Sequence, residues 1–505
     1  MDDTCVPGHG LNTEHDLKPL EQRIFVNPIH NHPANDPFPA CPPMERSISR
    51  LPQIGIVGGG PGGLMTAYLL QKYVNRPIDI TIFEMSDRLG GKILTPGFET
   101  TPLQYEAGAA EFYDYSLVDD DPLKELIAEL GLPMSPMGGS SVLMNGEFLG
   151  NLDDIRRHLG TAAHDALRQF HWAARDQMSP IEFFGSGGTE TVPVSDPDRR
   201  FDAVLQTIAE PAARQFVEHL IHSDLATEPA RTSAEYGLQN YLMNDPAYMR
   251  LYGIDGGNEM LPQSLARRIK ATIRMNDRVS QIRRDETGCL EIDSRCLGES
   301  LQNRFDFVVV ALPHDALDQI EYQSSVLLSA MQQHIAHYDF PAHYLRITIL
   351  FRRPFWNGHW SESYCMLDQL GGCCLYDESS RNTDSEYGIL GWLVGGESAL
   401  ERAALTDAEL IQQALDSLPM QLRFGTELFL EGRVHRWIGA VNAIPGGLRP
   451  RSLDLRHQPE PVNHPNFFVV GDYLFDSTLN GVLDSANYVA EWIAATINEP
   501  AGIKL

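Results

Sequence analysis

Ile54, Ile56 and Val57 form a short β-branched run, the pattern of a strand buried on both faces of a parallel sheet. Just beyond it Leu64, Ala67, Tyr68 and Leu70 recur at helical spacing, and residues 78–83 make a second apolar run. Buried parallel strands are also predicted over 305–312, ended by Pro313, and over 466–470. Helices are predicted over 122–130, over 264–269 and from Gly481 onward. The stretch 152–249 reads as mostly helix, including 203–225, with breaks at Ser186-Gly187-Gly188 and 193–197. Alternation predicts a strand over 343–351, followed by an apolar strand over 388–394 and a helix over 406–418. Residues 1–48 are rich in Pro, His, Asn and Asp without periodicity, which predicts an extended or disordered N-terminal arm.

At 505 residues the chain has room for two domains with substantial cores. Its 68 acidic and 39 basic residues give a net charge of −29, which argues against nucleic acid or an anionic membrane as partner. No apolar run is long enough to span a bilayer, and the first residues lack the basic and apolar parts of a secretory signal. Ile503-Lys504-Leu505 lacks the small first residue of a peroxisomal tripeptide. Seven cysteines without a C-x-x-C spacing read as reduced thiols, so a cytoplasmic protein is expected. His30 and His32 have no carboxylate or thiol pattern around them, and no metal is expected.

The turn between the first strand and helix carries Gly58, Gly60 and Gly63 in the G-x-G-x-x-G spacing. In a dinucleotide site Gly58 allows the tight turn, Gly60 leaves the backbone open to the pyrophosphate, and Gly63 lets helix and strand pack closely. Free N–H groups at the helix start then face the phosphates. Glu84, at the end of the second strand, is placed to accept both hydroxyls of an adenosine ribose.

Past Glu84 the chain reads Met85-Ser86-Asp87-Arg88-Leu89-Gly90-Gly91-Lys92. An acid followed by R-x-G-G resembles the FAD-binding pattern of the flavin-containing amine oxidase superfamily, which includes monoamine, polyamine and L-amino-acid oxidases and protoporphyrinogen oxidase. The resemblance implies that Arg88, Gly90 and Gly91 hold the pyrophosphate loop, and that Gly108 and Ala109 pass beside the flavin ring. It also implies that the backbone of Val279 meets adenine. Gly471 and Asp472 would serve the ribityl and phosphate, and Gly481 and Val482 would start a helix aimed at the flavin pyrimidine. Gly256-Gly257-Asn258-Glu259-Met260-Leu261-Pro262 resembles the family's returning G-G element. Lys92 departs from the family's usual second arginine and loses its bidentate fork.

Other departures touch the chemistry. Counting back from Trp356 to the family's flavin-side lysine lands on Arg346, which cannot act as a base. As a buried cation it needs an anion, and the candidates are a substrate carboxylate, the reduced flavin or Glu111. On a strand Tyr344, Arg346 and Thr348 share one face. The second aromatic of a monoamine oxidase cage corresponds to Thr478, and no tyrosine occurs near Ile444-Pro445-Gly446, where the first would lie. Glu111 stands where L-amino-acid oxidases keep an arginine, and an acid there suits a cationic or polar substrate. No cysteine lies near 437–447, so FAD is expected to bind non-covalently.

The resemblance implies an α/β fold: a doubly wound, Rossmann-like FAD-binding domain (50–125, 255–320 and 425–500) with an inserted mixed α+β substrate domain (126–254 and 321–424). The expected activity is two-electron oxidation of a C–N bond of an amine or amino-acid-like substrate, with hydride passing to flavin N5 and O2 reduced to H2O2. Catalytic candidates are Arg346, Glu111 and Thr478. Desaturation of a C–C bond in a small metabolite, and a flavoprotein that binds without turnover, are the alternatives. The expected partners are a small-molecule substrate and O2, and a homodimer stays open.

Overall fold

Ile54 and Ile56 have no exposed surface because β1 (Gln53–Val57) is the middle strand of a five-stranded parallel sheet. A computed structural model of the protein describes residues 50–116, 120–139, 141–179, 183, 200–360, 362–381, 385–443, 451–475 and 477–499. The N-terminal arm with His30 and His32, the breaks at 186–188 and 193–197, Ile444-Pro445-Gly446 and the last three residues lie outside these. On one side β1 pairs with Phe307–Val310, which pairs with Phe467–Val469. On the other it pairs with β2 (Asp79–Phe83), which pairs with Thr272–Arg274.

The two faces of this sheet are covered differently. On one, α1 (Pro61–Tyr73) packs against the last helix, Leu479–Asn498, through Leu64, Leu70, Val489 and Ile493. On the other, Val57, Phe83 and Val308 meet Ile282, Leu290 and Ile292 of a four-stranded sheet. The expected doubly wound architecture is present, with a sheet in place of helices over part of one face.

The inserted part is built on a seven-stranded sheet. Its order is Phe429–Asn442, Pro341–Phe351, Gly388–Gly395, Cys373–Asp377, Tyr364–Leu367, Val142–Met144 and Glu147–Leu149. Phe429–Asn442 falls within the 425–500 segment assigned above to the cofactor domain, yet it pairs along Pro341–Phe351 as the edge of this other sheet. As an edge strand it is half-buried along almost its whole length, so its sequence lacks the alternation that marks a one-sided strand. Strands of three or four residues, such as Val142–Met144, are too short to show a period at all.

Helices Leu152–Leu159, Thr161–Gln177, Pro211–Leu225 and Ala234–Leu242 supply the helical excursion. The single helix expected over 203–225 is two, Phe201–Leu205 and Pro211–Leu225, because Pro211 has no N–H to continue a helix and instead starts one. No helix among the described residues is long and apolar enough to cross a membrane.

Ile56→Ala removes a side chain with no exposed surface from the middle strand. It should cost about 2–5 kcal/mol of stability, read as a lower urea midpoint. A loss under about 1 kcal/mol would contradict the central placement of β1.

Candidate active site

The site begins where β1 ends. Gly58 has φ +109°, and a Cβ there would meet the Ala311 carbonyl oxygen at 2.4 Å. A Cβ on Gly63 would meet the Gly58 oxygen at 2.0 Å, so only glycine lets α1 start this close to the strand. Gly60, by contrast, is not crowded: a Cβ there would make ordinary contact with the Gly91 backbone at 3.7 Å. The N-terminus of α1 has no side-chain cap and no acidic residue in its first turn, which leaves its dipole available to an anion.

The loop after β2 docks onto this turn. Gly90 N donates to Gly59 O at 2.9 Å, and Arg88 Nη1 donates to Leu89 O at 3.3 Å. Arg88 therefore braces its own loop. Glu84 accepts from Gly59 N at 2.8 Å with one carboxylate oxygen, and from Ser86 N and Oγ at 2.9 and 2.7 Å with the other. Val279 is buried between the two sheets of this region.

Beside the turn runs the strip Ala107-Gly108-Ala109-Ala110. A Cβ on Gly108 would lie 1.9 Å from Lys92 O, so the strip presses directly on the loop. Ala109 N donates to Lys92 O, Trp437 Nε1 to Ala107 O at 2.6 Å, and Asn258 Nδ2 to Ala109 O at 2.9 Å. Asn258, from the G-G-N-E element, thus clamps the strip from below. Lys92 Nζ bridges Asp472 Oδ2, at 2.9 Å, and the carbonyl of Ala440. A compact ammonium suits these two separate acceptors better than a planar guanidinium.

These pieces enclose a cleft of about 420 Å³. Of the residues singled out from the sequence, Gly60, Gly91, Gly108, Ala109, Glu111, Gly471, Asp472, Thr478 and Val482 line it. Gly58, Gly63, Glu84, Arg88, Gly90, Val279 and Gly481 are not among its lining residues. The side-chain-free backbone of Gly60 and Gly91 in the cleft wall and an uncapped helix start with no acid in its first turn leave room and a favourable dipole for a pyrophosphate, so the residues present fit FAD.

Of the three catalytic candidates, Glu111 and Thr478 line the cleft and Arg346 does not. Arg346 is fully buried and does not line the cleft. Its direct ion-pair partner is Glu378, not foreseen from the sequence: Nη2 is paired with Glu378 Oε1, and Nε donates to Glu106 O at 3.1 Å, while Glu111, one of the expected anions, acts on it through its charge. Its guanidinium also stacks 4.4 Å from the Tyr376 ring. Burial pulls the Arg346 pKa down, but the charges of Glu378, Tyr376 and Glu111 together hold it above the ordinary arginine value. Tyr344, two residues before it on the strand, does line the cleft. Thr478 caps the last helix, its hydroxyl accepting from Gly481 N at 3.1 Å.

The sequence reading missed Asp224, Tyr113, Tyr236 and Trp437, all in the cleft wall. Asp224 ends the helix Pro211–Leu225 and accepts from Asn244 Nδ2 at 3.3 Å. Desolvation, opposed by Asn244 and reinforced by the charge of Glu111, lifts its pKa to about 7. Only folding brings it beside Glu111, so no local pattern marks it. The phenols of Tyr113 and Tyr344 are raised well above their ordinary value, chiefly by burial.

A profile of the family "flavin containing amine oxidoreductase" matches residues 61–494. Rat (Rattus norvegicus) prenylcysteine oxidase 1 is 34% identical over 98 residues, which is 19% of this chain and only 18% of that relative's length. Cyclohexylamine oxidase from Brevibacterium oxydans IH-35A superposes with a TM-score of 0.67 at 18% identity, covering 89% of this chain and 100% of that one. A putrescine oxidase redesigned at its cofactor site gives 0.67 at 17% identity, covering 88% and 98%.

Arg346→Met leaves Glu378 buried without its cation and should cost about 3–5 kcal/mol, while Arg346→Met with Glu378→Leu should recover most of that loss in the same urea titration. A single variant as stable as the parent would remove the pair from the core. Asp224 gives a pH test. Its pKa rises from 3.8 unfolded to about 7 folded, so its share of stability is full below the lower value and is lost as pH rises through the upper one. The stability of Asp224→Asn relative to the parent should therefore climb from about pH 4 to about pH 7 and then level off. A flat difference would show that Asp224 ionises normally.

Proposed function

The chain belongs to the family of flavin-containing amine oxidoreductases, and from that premise we propose that it is an FAD-dependent oxidase acting on the C–N bond of a small, cationic amine or amino-acid-like substrate. The observation that carries the reading is a single cleft with an uncapped glycine-rich helix start in one part of its wall and the carboxylates of Glu111 and Asp224 in another. The names of the two fold neighbours, both oxidases of amines, support the substrate class. When bound, FAD supplies the two-electron acceptor and hands the electrons on to O2.

The chain's own residues bind, orient and exclude water. The α1 N-terminus and Gly60 receive the pyrophosphate, and Glu84 receives the ribose hydroxyls. Lys92 and Asp472, paired with each other in the cleft wall, offer the cofactor hydrogen-bonding groups without net charge. The clamped strip Gly108–Ala109 gives a flat, backbone-only surface for the ring system. Glu111 attracts the cationic end of the substrate, and Tyr113, Tyr236, Tyr344 and Trp437 supply the aromatic surface that the sequence reading found missing. None of the five described cysteines lines the cleft, which supports non-covalent FAD. The same five are free thiols, which supports a cytoplasmic setting.

Acid precipitation should release yellow FAD into the supernatant, and colour retained in the pellet would overturn non-covalent binding. An anaerobic screen of amines, polyamines and amino acids should find at least one class that bleaches the flavin, with peroxide formed on admitting air. Bleaching by none of them, or only by a C–C substrate, would overturn the amine reading. Glu84→Gln keeps an acceptor for Gly59 but loses charge, so it should weaken FAD binding about tenfold or more, since charge-assisted bonds contribute about 1.5–3 kcal/mol. Parental affinity in a fluorescence titration would remove Glu84 from the ribose site.

A further inference from the structure

Behind the cleft lies a chamber of about 10 Å³, the scale of a single water molecule. Glu111, Tyr113 and Asp224 are the wall that cleft and chamber share. Beyond the chamber, Asn244, Tyr364, Met243 and Leu251 are shared in turn with a groove of about 530 Å³ that carries Asp114 and Lys124. The three spaces stand in series. Asn244 touches both partitions, because it donates to Asp224 and lines chamber and groove alike.

We propose that Glu111 and Asp224 share one proton site and act as the acceptor for the ammonium proton of the substrate, which then leaves through the chamber and the groove. The inference rests on the reading of the cleft as an amine site and adds how the amine is made reactive. A C–N bond is oxidised from the neutral amine, whose nitrogen has a lone pair, whereas a cationic substrate arrives with that pair bound to a proton. In the step an N–H bond of R–NH3+ breaks and an O–H bond forms on the carboxylate. The electron pair stays on nitrogen, giving R–NH2 and a carboxylic acid with no oxidant consumed. The acid ionises again as its proton passes to water in the chamber.

The surroundings favour this exchange. Two carboxylates in one desolvated wall cannot both ionise freely, and the same desolvation that favours a neutral carboxyl favours a neutral amine. Facing the pair are Tyr113 from Phe112–Asp114, Tyr236 from Ala234–Leu242 and Tyr344 from Pro341–Phe351. From the seven-stranded sheet come Tyr364, Cys374 and Tyr376, all held neutral chiefly by burial. The charge of Glu111 also acts on Arg346, which is paired with Glu378. Asp224 takes up protons near neutrality for the same reasons, desolvation first and then Glu111.

The test is an infrared pH titration of the substrate-free holoprotein, followed by pH profiles with an amine that bleaches the flavin. A carboxylic-acid band should vanish as pH rises through neutrality and be absent in Asp224→Asn. Parental kcat/KM should rise with ionisation of the pair, and Asp224→Asn should lose that limb together with about a hundredfold in kcat/KM, as loss of a general base does. After mixing with D2O the band should exchange at least tenfold more slowly in Asn244→Leu. No titrating band, or an unchanged profile in Asp224→Asn, overturns the shared-proton role. Parental exchange in Asn244→Leu overturns the passage. A protein that shows the band but is reduced by no amine overturns the amine reading and its proton step, and leaves the shared proton as a fact of the wall.

Discussion

A guanidinium with no exposed surface keeps its proton, so Arg346 commits the centre of the protein to an internal anion. Glu378 meets that demand with one oxygen and accepts from Glu106 N with the other, at 2.8 Å. Glu106 extends the network, accepting from Asn258 N at 2.8 Å and Thr95 Oγ1 at 2.9 Å, while Thr95 N donates to Glu259 at 2.9 Å. One buried polar chain thus joins the seven-stranded sheet, the G-G-N-E element and the loop beside the glycine turn. An unpaired charge in this setting is costly, so the parts are locked to each other more strictly than apolar packing alone would require.

The cleft inherits its shape from that lock. Glu106 is two residues before Gly108, and Asn258 holds both Glu106 and the Ala109 carbonyl. With Trp437 on Ala107 and Lys92 beneath Ala109, the strip has little freedom to move away from the glycine turn. A close approach between backbone segments is what a flat cofactor needs, and it is reached here by glycines at the contacts and polar anchors behind them. The residue that the lysine position of relatives brought to attention therefore supports the site from within the sheet and stays out of contact with what occupies the cleft.

The acids in the cleft follow a different logic. Asp224 sits where desolvation and the charge of Glu111 raise the free energy of its charged form, next to phenols that stay neutral. Stability alone would favour apolar residues at such a wall. The proposed cationic substrate, whose proton would have to be removed, gives the arrangement a use.

Much of this was legible in the chain. Gly58, Gly60 and Gly63 between an apolar run and a helical pattern define a turn by local sterics alone, and Glu84 follows because β2 has a fixed length. The buried parallel strands were legible because burial on both faces writes itself as a continuous apolar run. Phe429–Asn442 was not, because an edge strand half-exposed along most of its length has no such pattern, and its partner lies far back in the chain. Arg346 could be placed on the same strand face as Tyr344, since period two fixes sides, but how deep the cleft reaches along a strand is set by other elements. Glu378 and Asp224 had no local mark at all. Each is defined by a charge that arrives from a distant segment, so local sequence determined the glycine turn and the buried strands, and only tertiary packing decided which charges are buried together and what they can do.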